Sequence, residues 1–285
     1  MSATSPQSGV RRARIVPTLI LIAGAVYCLI PVAWVFVAST KTPGELFSSF
    51  TFAPGTGLWR NLHDLFRFSG GVFGLWALNS VLYAGVGAAL STLISAAAGY
   101  ALAKFDFVGG RVFFRALLAG LLIPGIVLAI PQYLLLSEMG LAGTRASVLL
   151  PSLINPFGIY LCRVYAQAAI PQSVLEGARI DGANEGRVFR SIALPLLVPG
   201  MVTVFLLTFV GIWNNFLLPF IMLSDQSTFP LTVGLSTLLN RGSGSPALYS
   251  LAIVGAAVAI LPLIALVLFL QRFWRLDLVS GVVKE

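Results

Sequence analysis

The sequence predicts an all-α polytopic membrane protein, and three observations carry that reading. Of 285 residues, 58% are hydrophobic and only 10% charged, and the mean hydropathy is +0.93. A soluble domain carries about 25% charged residues, so most of this chain cannot face water. Apolar runs longer than about 18 residues and nearly free of charge recur along it, which is the length a helix needs to cross a bilayer. The basic residues, finally, are distributed unevenly between the segments that join these runs.

Six transmembrane helices are expected, over residues 15–39, 73–103, 112–136, 146–168, 194–224 and 247–273. An even number puts both termini on one side. If that side is the cytoplasm, the inner segments hold Arg11, Arg12 and Arg14; Lys104, Arg111 and Arg115; Arg163, Arg179, Arg187 and Arg190; and Arg272, Arg275 and Lys284. Those are thirteen of the eighteen Lys and Arg residues, with Lys41, Arg60, Arg67, Arg145 and Arg241 left outside. The positive-inside rule therefore places both termini in the cytoplasm. It also accounts for the net charge of +8, and nucleic-acid binding is not expected. The expected organisation is a cytoplasmic segment 1–14, one membrane domain 15–273 with a cytoplasmic loop 169–193, and a tail 274–285.

The first run follows three arginines, as a signal peptide would, but it far exceeds the apolar core of about 7–15 residues that such peptides have. A retained anchor is the reading adopted. The second run is dense in small residues, with Gly85 and Ala89 as a small-xxx-small pair for close helix packing. In the third run, Pro124-Gly125 and Pro131 remove helical hydrogen bonds. Broken backbone at membrane depth needs protein or a watery cavity beside it, so this run is expected in the bundle interior, lining a path. Cys28 and Cys162 lie inside runs without metal-ligand spacing and read as small apolar fillers. Residues 40–71 form the one long outer loop, where short amphipathic helices are expected and His63, the only histidine, is unremarkable.

Between the fourth and fifth runs lies a polar stretch too short to span. Pro171 suits a first helical position. Gln172 to Asp181 then makes about ten helical residues, near 15 Å. Val174, Leu175 and Ala178 give this helix an apolar side, and Gly182 ends it as a C-cap. Asn184 caps a second short helix through Ser191, with Val188, Phe189 and Ile192 apolar, and Leu194-Pro195 stops it. Asp181 lies at a helix end that disfavours an anion, so Arg179 or Arg187 is expected to compensate it. Such a knob either inserts its apolar sides into a partner's groove or packs on the protein's own membrane face.

Glu176-Gly177-Ala178, three residues, Gly182, nine residues and Ile192-Ala193-Leu194-Pro195 resemble the EAA loop of ABC importer permeases, with Gly177 in place of the central Ala. The strings Tyr100–Lys104 with Phe107–Arg111, and Asn155–Leu161, are similar to the same family. Trp213-Asn214-Asn215-Phe216 and Leu278–Lys284 look like its carbohydrate branch. The resemblance implies that Glu176, Gly177, Ala178, Asp181, Gly182, Ile192, Leu194 and Pro195 couple the chain to an ATPase. It implies a second permease subunit in a heterodimer, two ATPase subunits that bind ATP and Mg, an extracytoplasmic solute-binding protein, and a bacterial or archaeal plasma membrane. The cargo it implies is a sugar or oligosaccharide, with another small polar solute such as a polyol or a glycerol phosphate ester as the alternative, and a secondary carrier as a more distant one.

Asn79, Gln132, Tyr133, Trp213, Asn214 and Asn215 are the polar or aromatic candidates for a substrate path. Each reads equally as interhelical glue or an interfacial anchor. The chain shows no phosphate-binding loop, no catalytic-metal motif and no nucleophile elbow, so it is expected to hold no cofactor or metal and to be no enzyme. Its carboxylates fall in loops or at run ends, unlike the intramembrane acids of proton-coupled carriers.

Overall fold

The computed structural model describes residues 7–48, 50–241 and 245–280, with side chains over 16–48, 50–241 and 245–273. Among these the regular structure is helical, with no strand. Arg11, Arg12, Arg14, Arg275, Lys284 and the string Leu278–Lys284 fall outside the described side chains. The chain divides into two compact units, Met1–Phe66 with Leu238–Val258, and Arg67–Thr237 with Ala259–Glu285.

The first unit holds α1 (Gln7–Ser39), α2 (Pro43–Ser48), α3 (Leu58–Arg67, apart from its last residue) and the start of the long terminal helix. From residue 16 to residue 30 the side chains of α1 are all exposed, as suits a lipid-facing helix. The expected outer-loop helices are α2 and α3. Thr42 and Glu45 form a capping box at α2: Thr42 N donates to Glu45 Oε2 at 2.8 Å and Glu45 N to Thr42 Oγ1 at 3.4 Å. The Thr42 backbone bond holds the Glu45 carboxyl below the usual carboxylate range. Lys41 is buried, and its Nζ donates to the Thr51 carbonyl at 2.7 Å beneath the Trp34 ring. Asn61 Nδ2 bridges the carbonyls of Ser39 and Lys41 at 3.0 and 2.8 Å, which ties α3 to the end of α1.

The second unit is organised on α4 (Val72–Lys104), followed by α5 (Gly110–Gly120), α6 (Gly125–Glu138), α7 (Arg145–Leu153), α8 (Pro156–Ala169), α9 (Gln172–Ile180), α10 (Glu185–Val188), α11 (Leu194–Trp213), α12 (Leu217–Met222) and α13 (Leu231–Arg241) as far as Thr237. A last helix, α14 (Pro246–Ser280), runs on from the first unit. Five stretches are long and apolar enough to cross a membrane: Val16–Ser39, Val72–Lys104, Arg145–Ala169, Glu185–Trp213 and Pro246–Phe273. The third expected span, 112–136, is instead the pair α5 and α6, bent by 106°. Pro124 forces the break, since the residue before a proline is driven out of helical backbone. Pro131 lies inside α6 without interrupting it. Most side chains of this pair are exposed, with Ala129 and Leu136 buried, and Gly125, Ile126, Leu128, Ala129 and Gln132 of α6 line a cavity.

Two other expected spans are also reshaped. The fourth breaks at Ile154, because Pro156 holds Asn155 in extended backbone, where its Oδ1 caps α8 by accepting from Gly158 N at 3.1 Å. The fifth does not start at Leu194. A π-helical turn over Phe189–Ala193 joins α10 to α11, with Leu194 N bonded to the Phe189 carbonyl. Pro195 lacks an N–H, and the wider turn before it takes up the lost bond without ending the helix. At the other end this span stops at Trp213, eleven residues before Ser224, and α12 follows.

α4 packs against α8 and α11 through a buried stripe of small residues: Ala84, Gly87, Ala88, Ser91, Thr92, Ser95, Ala96 and Gly99. The expected pair Gly85 and Ala89 lies off this stripe, and a Cβ on Gly85 would meet nothing within 4 Å. On Gly99 it would lie 2.6 Å from Arg163 N and Cys162 Cβ. Gly200 on α11 is held as tightly, 2.5 Å from the Tyr165 ring. Gly99→Ala should therefore destabilise the protein by about 1–3 kcal/mol. Gly85→Ala should stabilise it by about 0.5–1 kcal/mol, both read by thermal unfolding in detergent.

Candidate functional site

The polar stretch between α8 and α11 folds as a helix-turn-helix knob. Pro171, extended at ψ 138°, precedes α9 as its N-cap rather than occupying the first helical position. At the far end Gly182 adopts φ +81°. Ala183 N donates to the Ala178 carbonyl at 3.0 Å and Gly182 N to that of Arg179 at 3.1 Å. This pair of bonds is a Schellman motif, and it needs the left-handed backbone that glycine supplies. Asn184 Oδ1 then caps α10 by accepting from Arg187 N at 2.9 Å.

The apolar sides of both short helices face inward. Leu175 and Val188 are fully buried in a cluster with Tyr100, Cys162, Ala166, Ile170, Ala193 and Leu197, and Ala178, Phe189, Ile192 and Leu194 pack around it. Of the two arrangements open to these sides, packing on the protein's own helices is the one found: α4, α8 and α11 take them up. Sequence periodicity shows which side is apolar but not whose surface covers it. The outward face is Ser173, Val174, Glu176, Gly177, Ile180 and Asp181, all exposed. Ile180 is 87% exposed and was missed by the sequence reading, although an isoleucine at the end of a polar helix is a signal for it.

Charge is arranged differently from expectation. Arg179 does not bond Asp181; it clasps Glu185 across the turn, Nε to Oε1 at 2.7 Å and the second nitrogen to Oε2 at 3.3 Å. That hydrogen bond holds the guanidinium above its ordinary pKa. A pair this exposed adds little stability, so its effect is to fix the angle between α9 and α10. Glu176 is exposed and makes no hydrogen bond or ion pair among the described residues.

The knob is bolted to α4. Lys104 Nζ donates to the Ile170 carbonyl at 2.6 Å, and the Tyr100 ring lies 5.3 Å from Phe189 and 5.6 Å from Phe105. At its opposite end α4 holds residues 226–231. Trp76 Nε1 donates to the Gln226 carbonyl at 3.0 Å, Tyr83 Oη to that of Thr228 at 2.8 Å, and Leu231 N to Ser80 Oγ at 2.7 Å.

The six path candidates separate in the structure. Asn79 is buried and spent: Nδ2 donates to the Ser227 and Phe229 carbonyls at 2.7 and 3.1 Å, and Oδ1 accepts from Arg145 at 3.1 Å. Tyr133 packs against the core around Tyr83 and Val148, and Trp213 is buried in a stack on Phe209. Asn214 is exposed and bonds the Val210 carbonyl of its own helix. Only Gln132 and Asn215 meet. They line a cavity of about 510 Å³ together with Ser152, Asn155 and Thr208, among residues of α6 to α8, α11 and α12. No charged residue lines this cavity. Asn155 and Thr208, bonded to each other at 2.9 Å, were not among the candidates.

A polar knob is thus mounted on a helical bundle whose long apolar helices fit membrane spans, with an uncharged cavity in the same unit, the features of a polytopic membrane protein. The family of binding-protein-dependent transport system inner membrane components matches residues 91–275, and this chain belongs to it. The permease protein AraQ of an arabinooligosaccharides transport system in Halalkalibacterium halodurans is 33% identical over 263 residues, 91% of this chain and 92% of that one. The permease protein NgcG of a diacetylchitobiose uptake system in Streptomyces coelicolor is 33% identical, with 82% and 77% covered. The permease protein UgpE of an sn-glycerol-3-phosphate system in Yersinia pestis is 28% identical, with 92% and 95% covered. A crystal structure of a bacterial ABC transporter involved in import of the acidic polysaccharide alginate has a chain of the same fold, at TM-score 0.77 and 23% identity over 95% of this chain and 99% of that one. The chain is thus a permease subunit of an importer whose family works with a binding protein and an ATPase.

Two glycines in the knob should respond oppositely to alanine. A Cβ at Gly177 meets nothing within 4 Å, so Gly177→Ala should stabilise α9 by about 1 kcal/mol. Gly182→Ala should cost about 1–2 kcal/mol at a left-handed position. Hydrogen exchange over residues 172–191 should slow in the first variant and quicken in the second.

Proposed function

We propose that this subunit imports a neutral sugar or oligosaccharide, and that residues 169–193 are its coupling loop to the ATPase. The observation that carries the reading is the knob itself. It is stiffened by its own buried residues and the Arg179–Glu185 clasp, while Glu176, Gly177 and Ile180 stay uncovered on its outward face. A rigid element that keeps an acidic and an apolar residue uncovered at its tip suits a cleft on another protein.

The subunit pairs with a second permease, and two ATPase subunits bind ATP and Mg below the loops. A solute-binding protein delivers cargo from the other side. Both termini lie in the cytoplasm of a bacterial or archaeal plasma membrane, as the excess of Lys and Arg on that side supports. Closure of the ATPases on ATP draws the two loops together and rocks the helices mounted on them.

The relatives named for arabinooligosaccharides and diacetylchitobiose support a sugar cargo. The relative named for sn-glycerol-3-phosphate favours a phosphorylated solute instead. Charge supports the sugar: a phosphate monoester calls for Arg or Lys in its site, and the polar side chains lining the cavity are amides and hydroxyls.

In the affinity-tagged complex purified in mild detergent, Glu176→Lys should abolish recovery of the ATPase while the chain stays folded. Full recovery of ATPase with this variant would overturn the coupling assignment. Asn215→Leu with Gln132→Leu should lower sugar uptake in proteoliposomes by about tenfold, the net worth of one or two hydrogen bonds to sugar hydroxyls. ATPase recovery should be unchanged, and unaltered uptake would remove this cavity from the path.

A further inference from the structure

Three arginines converge on a second cavity, at the end of α4 that also carries the knob. This cavity, of about 770 Å³, lies between the α4–α5 turn, the start of α5 and α8, and Arg111, Arg115 and Arg163 line it. Arg111 and Arg115 stand one turn apart on α5 and so share a face. Arg163 comes from α8. Its guanidinium lies 3.9 Å over the Phe114 ring and its Nε donates to the Leu102 carbonyl at 3.3 Å. That anchoring fixes the group and leaves its two terminal nitrogens without a partner among the described residues.

None of the three has a carboxylate oxygen within 4.0 Å among the described residues. Asp106 lines the same cavity, so the local balance is three cations to one anion. Phe107, Val108 and Val112 line it as well and stand exposed. Uncompensated guanidiniums next to exposed apolar side chains, at a cation-rich end of membrane helices, fit a ligand that is phosphate at one end and hydrocarbon at the other.

We propose that this cavity binds the headgroup of an anionic phospholipid. The guanidiniums take the phosphodiester oxygens, Asp106 accepts from a headgroup hydroxyl, and the exposed apolar side chains pack on the acyl chains. A free phosphate ion would use the arginines and leave those apolar side chains without a role. The site is separate from the sugar-path cavity and from the outward face of the knob, so it does not depend on what the importer carries.

The test is lipid titration of the purified full-length chain, with the subunits that accompany it, in mild detergent, followed by native mass spectrometry. Phosphatidylglycerol should bind at least about tenfold more tightly than phosphatidylcholine. Arg111→Gln with Arg115→Gln should erase that preference at an unchanged unfolding temperature, and Arg111→Lys with Arg115→Lys should keep part of it. Equal binding of the two lipids by the unaltered chain would overturn the proposal, a readout that needs no variant to fold. So would undiminished phosphatidylglycerol preference in the double Gln variant, or displacement of the lipid by equimolar inorganic phosphate, which would make it a free-anion site. Recovery of the ATPase in the same preparation reports separately on the coupling reading.

Discussion

Everything placed in the second unit depends on how closely α4 approaches α8 and α11. The approach is set by the absence of side chains: Gly99 and Gly158 leave no room for a Cβ between α4 and α8, and Gly200 none between α11 and α8. Polar bonding adds isolated links, Arg163 to the Leu102 carbonyl and Asn155 to Thr208, but none along the stripe itself. Ser91, Thr92, Ser95 and Tyr100 bury hydroxyls that have no partner among the described residues, each at a cost of about 1–3 kcal/mol. The stripe survives that cost because backbones in direct contact gain dispersion along their whole length. With its spacing fixed, α4 becomes a pillar that orients the 226–231 segment at one end and the knob at the other.

The knob shows how a protein can present a polar motif without leaving it loose. Short helices in water are marginal, and α9 and α10 are far below the length at which a helix holds by itself. Leu175 and Val188 supply what length does not, by sinking into the base of the bundle. The motif residues therefore divide by task. Gly182 shapes the turn, Ala178, Ile192 and Leu194 mount it, and Glu176, Gly177 and Asp181 are left facing out. Pro195 lies in the helix that carries the mount away.

Much of this could be read from the residues. The polar stretch stood out because long apolar runs flank it, and Gly182 and Asn184 announced their backbone roles through their chemistry. The breaks in the spans were harder. Pro17, Pro31, Pro131, Pro199 and Pro262 lie inside helices, while Pro124 and Pro156 follow breaks. What distinguishes Pro156 is the capping amide before it, a local signal that an apolar count overlooks. The path candidates were illegible for another reason: an Asn in an apolar run must find partners, and the run does not say which. Asn79 found backbone carbonyls about 150 positions away in sequence, whereas Asn215 came to lie in a cavity.

The π-helical turn at Phe189–Ala193 carries a mechanical consequence. It joins knob and membrane span into one rod, Glu185–Trp213, with no joint where the two meet. At about 1.5 Å per residue such a rod is roughly 40 Å long. A rod without a joint acts as a crank: torque applied at its base cannot be absorbed locally. A tilt of about three degrees at the base appears at the far end as a sideways sweep of about 2 Å, next to the cavity that Asn215 lines.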